Sequence, residues 1–211
     1  MLHRKFYFII ILLNLYIALC PERNVYASEL MAEGGYSKVT FGENTFEGEN
    51  ASLRIYFFPG SAKTFQFLLG LGVRGEMTQG SQSTSTYSYT SKYSIFQVGG
   101  DVGFKINPTN WLNLYTVISL NISPYAAYEN DLTVGGSTQE LNPNVNSDWN
   151  IGASFKASVN LSNRFAIGGS ILAARGVSNY ADETYNNVTI SGSSGGYNIL
   201  NYNIIISFLF N

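Results

Sequence analysis

From about residue 64 to the end of the chain, apolar side chains recur at every second position in run after run. A period of two belongs to extended strands, whose successive side chains point to opposite faces. In the run 64–78, Phe65, Phe67, Leu69, Leu71 and Val73 share one face, and Gln66, Gly70, Gly72, Arg74 and Glu76 share the other. The run 93–107 sets Phe96, Val98, Val102, Phe104 and Ile106 against Gln97, Gly99, Asp101, Gly103 and Lys105. In 111–128, Leu112, Leu114, Ile118, Leu120 and Ile122 oppose Asn113, Tyr115, Ser119 and Asn121. In 148–161, Trp149, Ile151, Phe155, Val159 and Leu161 oppose Asn150, Ser154, Lys156 and Ser158. No charge stands on any of these four apolar faces. Runs at 30–41, 51–58, 164–177 and 197–210 bring the expected strands to eight. The first of these has no decisive face. In 164–177, Arg175 falls in phase with Phe165, Ile167 and Ile171, which predicts either a rim position for Arg175 or a bulge.

The connectors alternate in length. Residues 59–63, 108–110 and 162–163 are short and built from Pro, Gly, Ser and Asn, the residues that turn geometry favours. Residues 42–50, 79–92, 129–147 and 178–196 are longer. Short turns at one rim and long loops at the other predict an all-β, eight-stranded antiparallel transmembrane β-barrel, with both termini in the periplasm.

Alternation alone does not say which face is inside, because a soluble ligand-binding barrel also alternates, with its apolar face in the lumen. The polar face here is mostly Gly, Ser, Asn and Gln with scattered charges, poor cover for a water-facing surface. Lipid outside explains the clean apolar faces, since a single Arg or Lys at mid-bilayer costs about 2–4 kcal/mol. Outer-membrane lipid is therefore the expected neighbour. Trp111 and Trp149, at the starts of two strands, and Tyr125 and Tyr128 then fall into interfacial aromatic girdles. The inward charges Arg54, Arg74, Glu76, Asp101, Lys105 and Lys156 have mixed signs and are expected to pair across the lumen as a polar network. Gly70/Gly72 and Gly168/Gly169 are expected to make room in that crowded interior.

Composition supports the same picture. Charged residues are 12% of the 211, aromatics 15%, and mean hydropathy is +0.02. Polar and apolar faces cancel in this way in a barrel, and a bundle of membrane helices would be far more apolar. His3, Arg4 and Lys5 followed by the apolar stretch 6–19 read as a secretion signal, and Val25-Tyr26-Ala27 fits its cleavage site. Residues 1–27 are thus a leader and 28–211 the barrel domain. Removing the leader takes away three basic residues and one acid, leaving nine basic and thirteen acidic, net −4. That balance, without a basic cluster, argues against nucleic acid as a partner. The single cysteine, Cys20, and the single histidine, His3, depart with the leader.

Without histidine, Ser-His-Asp chemistry and imidazole metal ligation are closed to the mature chain. No catalytic residue, metal site or cofactor is expected. The acids Glu43, Glu47 and Glu49 share one connector, but their spacing matches no calcium loop. Tyr87, Tyr89 and Tyr93, in a Ser/Thr-rich connector, suit adaptable surface contacts.

The aromatic last strand, with Tyr202, Ile204, Ile206, Phe208 and Phe210 in phase, completes a resemblance to the small OmpA/OmpX-like outer-membrane barrels over nearly the whole mature length. Here Asn211 follows Phe210. The resemblance implies that the last strand is the assembly signal read by the barrel assembly machinery. The function expected is that of a non-enzymatic, surface-exposed outer-membrane protein whose loops meet an extracellular ligand or surface; a narrow porin for ions or very small solutes is the alternative.

Overall fold

The computed structural model describes residues 27–59, 64–83, 87–134, 136–141, 145–180, 183–185, 188–190 and 194–210. The expected secretion signal, apart from Ala27, therefore lies outside the described residues. Eleven strands follow in order: β1 (Ala27–Phe41), β2 (Asn44–Phe58), β3 (Phe65–Ser83), β4 (Tyr87–Thr109), β5 (Leu112–Val134), β6 (Ser137–Leu141), β7 (Val145–Asn160), β8 (Phe165–Tyr180), β9 (Glu183–Tyr185), β10 (Val188–Ile190) and β11 (Ser194–Phe210). Eight of them close a ring in the order β1-β2-β3-β4-β5-β7-β8-β11, each antiparallel to its neighbours. The seam is the β1–β11 ladder, from Ser28 opposite Phe210 to Phe41 opposite Tyr197. Ala27 and Phe210 thus share the rim that carries the short turns. Closure removes every sheet edge from the wall.

The alternation sorts the faces as lipid outside requires. Ile204 is 65% exposed, while Tyr56 and Tyr115 on the inner face are fully buried. An eight-stranded ring is about narrow enough for its own side chains to fill, and they fill it in three layers. Near the short-turn rim, Met31, Tyr56, Phe58, Leu68, Tyr115, Val117 and Ile205 pack together. Near the other rim, Val39, Phe46, Tyr93, Ile95, Ala174, Tyr197 and Ile199 do so, with Phe41, Ala126 and Tyr128 against them. Between the two lies a polar layer.

The long connectors expected from sequence are largely strand. Residues 42–50 contract to a two-residue turn, in which Gly42 takes φ +57°. Glu47 and Glu49 accordingly stand on β2, exposed, with Glu47 4.0 Å from Lys38, and do not gather with Glu43 in a loop. Beyond the wall, β3, β4, β5 and β6 continue as an overhanging sheet, with β6 folded back on residues 130–134. The overhanging part of β3 is polar on both faces, and the pairing of Tyr87 and Tyr89 with Val134 and Leu132 spans too few positions to stand out among polar connectors.

Two register shifts interrupt the β4–β5 ladder. One falls at Pro108 and the other at Pro124, whose missing N–H cannot join a ladder. At the second, Ser123 and Pro124 oppose Gln97 alone, so the phase of β5 reverses. Ile122 and Tyr125 both face outward as a result, and Tyr128 turns inward opposite Tyr93. By contrast β8 runs through without a bulge opposite residues 148–160 of β7, and Arg175 projects outward, exposed, beside Ile151.

Candidate functional site

The lumen gathers the charged side chains of the barrel. Arg54 on β2 donates from Nη1 to Oδ1 of Asp101 on β4 at 2.7 Å, reaching across β3. The crossing explains two glycines. A Cβ at Gly72 would meet Arg54 Cγ at 2.6 Å, and one at Gly70 would meet the Tyr56 ring at 2.6 Å. Of the other pair, Gly168 is pressed against the β7 backbone at Ala157 and Ser158 and not against a crossing side chain, and Gly169 faces out. Arg74 donates through Nε and Nη2 to Gln97 and lies 3.4 Å from Glu76, which accepts from Asn201 at 2.7 Å.

Two further pairs run through β1. Lys105 donates to Glu29 at 3.0 Å, and Tyr115 donates to both oxygens of the same carboxylate at 2.9 and 3.0 Å. The Lys105 ammonium also lies 4.9 Å from the Phe58 ring centre and 5.2 Å from that of Tyr115. Lys156 on β7 is ion-paired with Glu33, which also accepts from Ser170 at 2.9 Å and Asn203 at 3.3 Å. So β1 acts as a strap: Glu29 ties it to β4 and β5, and Glu33 ties it to β7 and β8 on the other side of the seam. At the long-strand end, Asp148 accepts from Ser123 and Tyr197 on one oxygen and from Tyr93 and Ser178 on the other.

All six inward charges expected from sequence point into the lumen, each nearly fully buried. Sequence reasoning missed Glu29, Glu33 and Asp148. A signal was present, since four cations were matched by only two acids, and a closed lumen has to balance charge. A small void lies between the layers, lined in part by Glu33, Arg54, Arg74, Lys156, Ser119 and Asn203, with room for about one water molecule. Arg74 Nη1 and Asn203 Oδ1 are buried there without a protein partner, a donor and an acceptor suited to such a water.

The outward residues lie as follows. Trp111 occupies a short turn and is 56% exposed; Trp149 and Tyr125 are also exposed on the outer face. Tyr128 does not join that girdle. It packs inside, 6.0 Å from Phe41, 5.8 Å from Phe46 and 6.4 Å from Tyr93, because the bulge at Pro124 reversed its phase. Tyr93 likewise is buried in the lumen and is not a surface contact residue. The side chains of Tyr87 and Tyr89 lie outside the described part. Tyr202, Ile204, Ile206, Phe208 and Phe210 all face outward on β11, with Tyr202 beside Tyr36 across the seam. Among the described residues no group of three His, Cys, Asp or Glu side chains is placed to hold a metal ion.

No family model matches the sequence. No curated protein matches it either. Solved structures do match in shape. A major outer membrane protein of Thermus thermophilus superimposes with a TM-score of 0.51 at 10% identity, over 89% of this chain and 100% of that one. Ail, the attachment invasion locus protein of Yersinia pestis, gives 0.46 at 10% identity, over 88% and 99% of the two chains. Neisserial surface protein A gives 0.47 at 9% identity, over 85% and 97%. At these identities the likeness is one of fold alone, and the fold is that of a small outer-membrane β-barrel.

Proposed function

We propose that the chain is a non-enzymatic integral outer-membrane protein with a sealed lumen, and that its working surface is the overhanging sheet and the connectors beside it. The observation that carries this reading is the filling of the lumen. Two apolar layers bracket a layer of ion pairs, and the void between them holds about one water. In this reading such an interior supports the wall and does not pass solute. In this reading the ends of the chain face the periplasm, and β3, β4, β5 and β6 extend outside the cell, where adhesion or other surface contact takes place. The outward stripe on β11 is the segment that the assembly machinery reads, and a secretion signal ending near Ala27 delivers the chain to the periplasm.

Insertion of the purified barrel into planar bilayers tests the sealed lumen. Silent insertion is the expected result. Steady unit conductance would replace this reading with the narrow porin. The surface role is tested by the binding of intact cells to host or abiotic surfaces, with and without the overhang of residues 80–90 and 130–141; unchanged binding after its removal would sink it.

A further inference from the structure

Asp148 is the exceptional carboxylate of the lumen. Among the described residues, five acids (Glu29, Glu33, Glu76, Asp101 and Asp148) and four cations (Arg54, Arg74, Lys105 and Lys156) are buried inside. Each cation lies within 4.0 Å of one of the other four acids, and Asp148 has none. Among the described residues hydroxyls alone hold it: Ser123 at 2.8 Å, Tyr197 at 2.6 Å, Tyr93 at 3.0 Å and Ser178. A buried carboxylate without a counter-charge is expensive, and hydroxyl donors offset that cost only in part.

Two of those hydroxyls belong to rings that surround Phe41. The Phe41 ring centre lies 5.7 Å from Phe46, 5.2 Å from Tyr93, 6.0 Å from Tyr128 and 5.1 Å from Tyr197. Phe41 is thus the occupant of a four-walled aromatic cage, and its position is peripheral in the chain. It is the last residue of β1 and is half-buried, while Phe46, Tyr93 and Tyr197 are buried. The next residue is Gly42, in the left-handed region at φ +57°, the start of a two-residue turn, so Phe41 is the last ladder position of β1, opposite Tyr197 and Asn44.

We propose that this layer is a binding site for an arylammonium or alkylammonium cation, with Phe41 as the internal group that keeps it shut. Aromatic faces attract cations, and they do so most strongly where water is excluded. The ring that leaves is a phenyl, which sets the size of the apolar part of the ligand. The unpaired charge of Asp148, joined to the cage through the Tyr93 and Tyr197 hydroxyls, sets the sign of the rest. Neutral aromatics fill the same space without meeting that charge. This inference does not depend on the surface role proposed above.

The test uses the purified full-length barrel in dodecyl maltoside, an uncharged detergent, because amine-oxide or choline headgroups would compete for the cage. Phe41→Ala is first checked for folding by its change in gel mobility on boiling. If it does not fold, Phe41→Val, which keeps a good strand former at the strand end, takes its place. Benzyltrimethylammonium is then titrated calorimetrically, with benzyl alcohol as the neutral probe. The folded variant should bind the cation about tenfold or more tightly than the parent does, and about tenfold more tightly than it binds benzyl alcohol. Adding Asp148→Asn to the same variant should abolish the gain. No gain in the folded variant, equal affinity for the two probes, or a gain that survives Asp148→Asn would overturn the proposal.

Discussion

Glu29 and Asp148 are both buried carboxylates bonded by tyrosine hydroxyls within an aromatic layer, one near each rim of the barrel. Glu29 has Lys105 beside it at 3.0 Å, and Asp148 has only hydroxyls. The difference separates two uses of a buried charge. The Glu29 layer is complete in itself: its charges cancel, its Lys105 rests over two rings, and β1 is strapped across the lumen. The Asp148 layer carries a residual negative charge under rings that suit a cation. Filling the lumen therefore left one end electrostatically closed and the other open to a partner.

The comparison is most easily broken by removing each negative charge in turn. Glu29→Gln strands Lys105 in the interior and should cost about 3–5 kcal/mol, read from urea unfolding in detergent micelles. Pairing it with Lys105→Met, which removes both charges, should recover most of that loss. If the double variant is no more stable than Glu29→Gln, the ion pair is not what holds this end. Arg74→Ala removes the cation nearest Glu76 and should lower stability by about 3 kcal/mol; an unchanged melting temperature would mean the mid-lumen layer is not a structural plug.

Smaller effects sharpen the contrast. Tyr197→Phe deletes one of the hydroxyls on which Asp148 wholly depends and should cost about 2 kcal/mol, against about 1 kcal/mol for Tyr115→Phe, where Glu29 retains Lys105. Equal costs in the same unfolding assay would show that the missing cation makes no difference. Asp148→Asn strands no partner charge and should cost only about 1 kcal/mol, several-fold less than Glu29→Gln. A loss as large as that of Glu29→Gln would reveal a counter-charge to Asp148 outside the described residues.

Legibility in the sequence followed contrast between the two faces. In β3, β4, β5 and β7 the outer face carries no charge over the membrane belt and is apolar but for Thr116, so face, phase and strand count could be read directly. β1 was opaque because Ala32, Gly34 and Gly35 blur the difference between its sides, and its two acids, Glu29 and Glu33, went unplaced. Tyr128 was assigned to the wrong face because a single extra residue reverses a period of two. Pro124 was the visible warning, since a proline inside a strand pattern marks an edge or a bulge. The overhang was read as loop because its alternation, Tyr87 and Tyr89 on β4 and Leu132 and Val134 on β5, is only two positions long on each strand, and backbone pairing needs no more.

The sequence by itself determined that the chain forms strands, which face of β3, β4, β7 and the first part of β5 is outward, and six of the inward charges, because side-chain direction along a strand is a local property with a fixed period. Only the tertiary structure decided which inward groups meet. Arg54 reaches Asp101 over Gly70 and Gly72, Lys105 reaches Glu29 three strands away, and Asp148 draws hydroxyls from four other strands. Those partnerships depend on the closure of the ring and on the register of every ladder in it, which are global quantities that no local pattern contains.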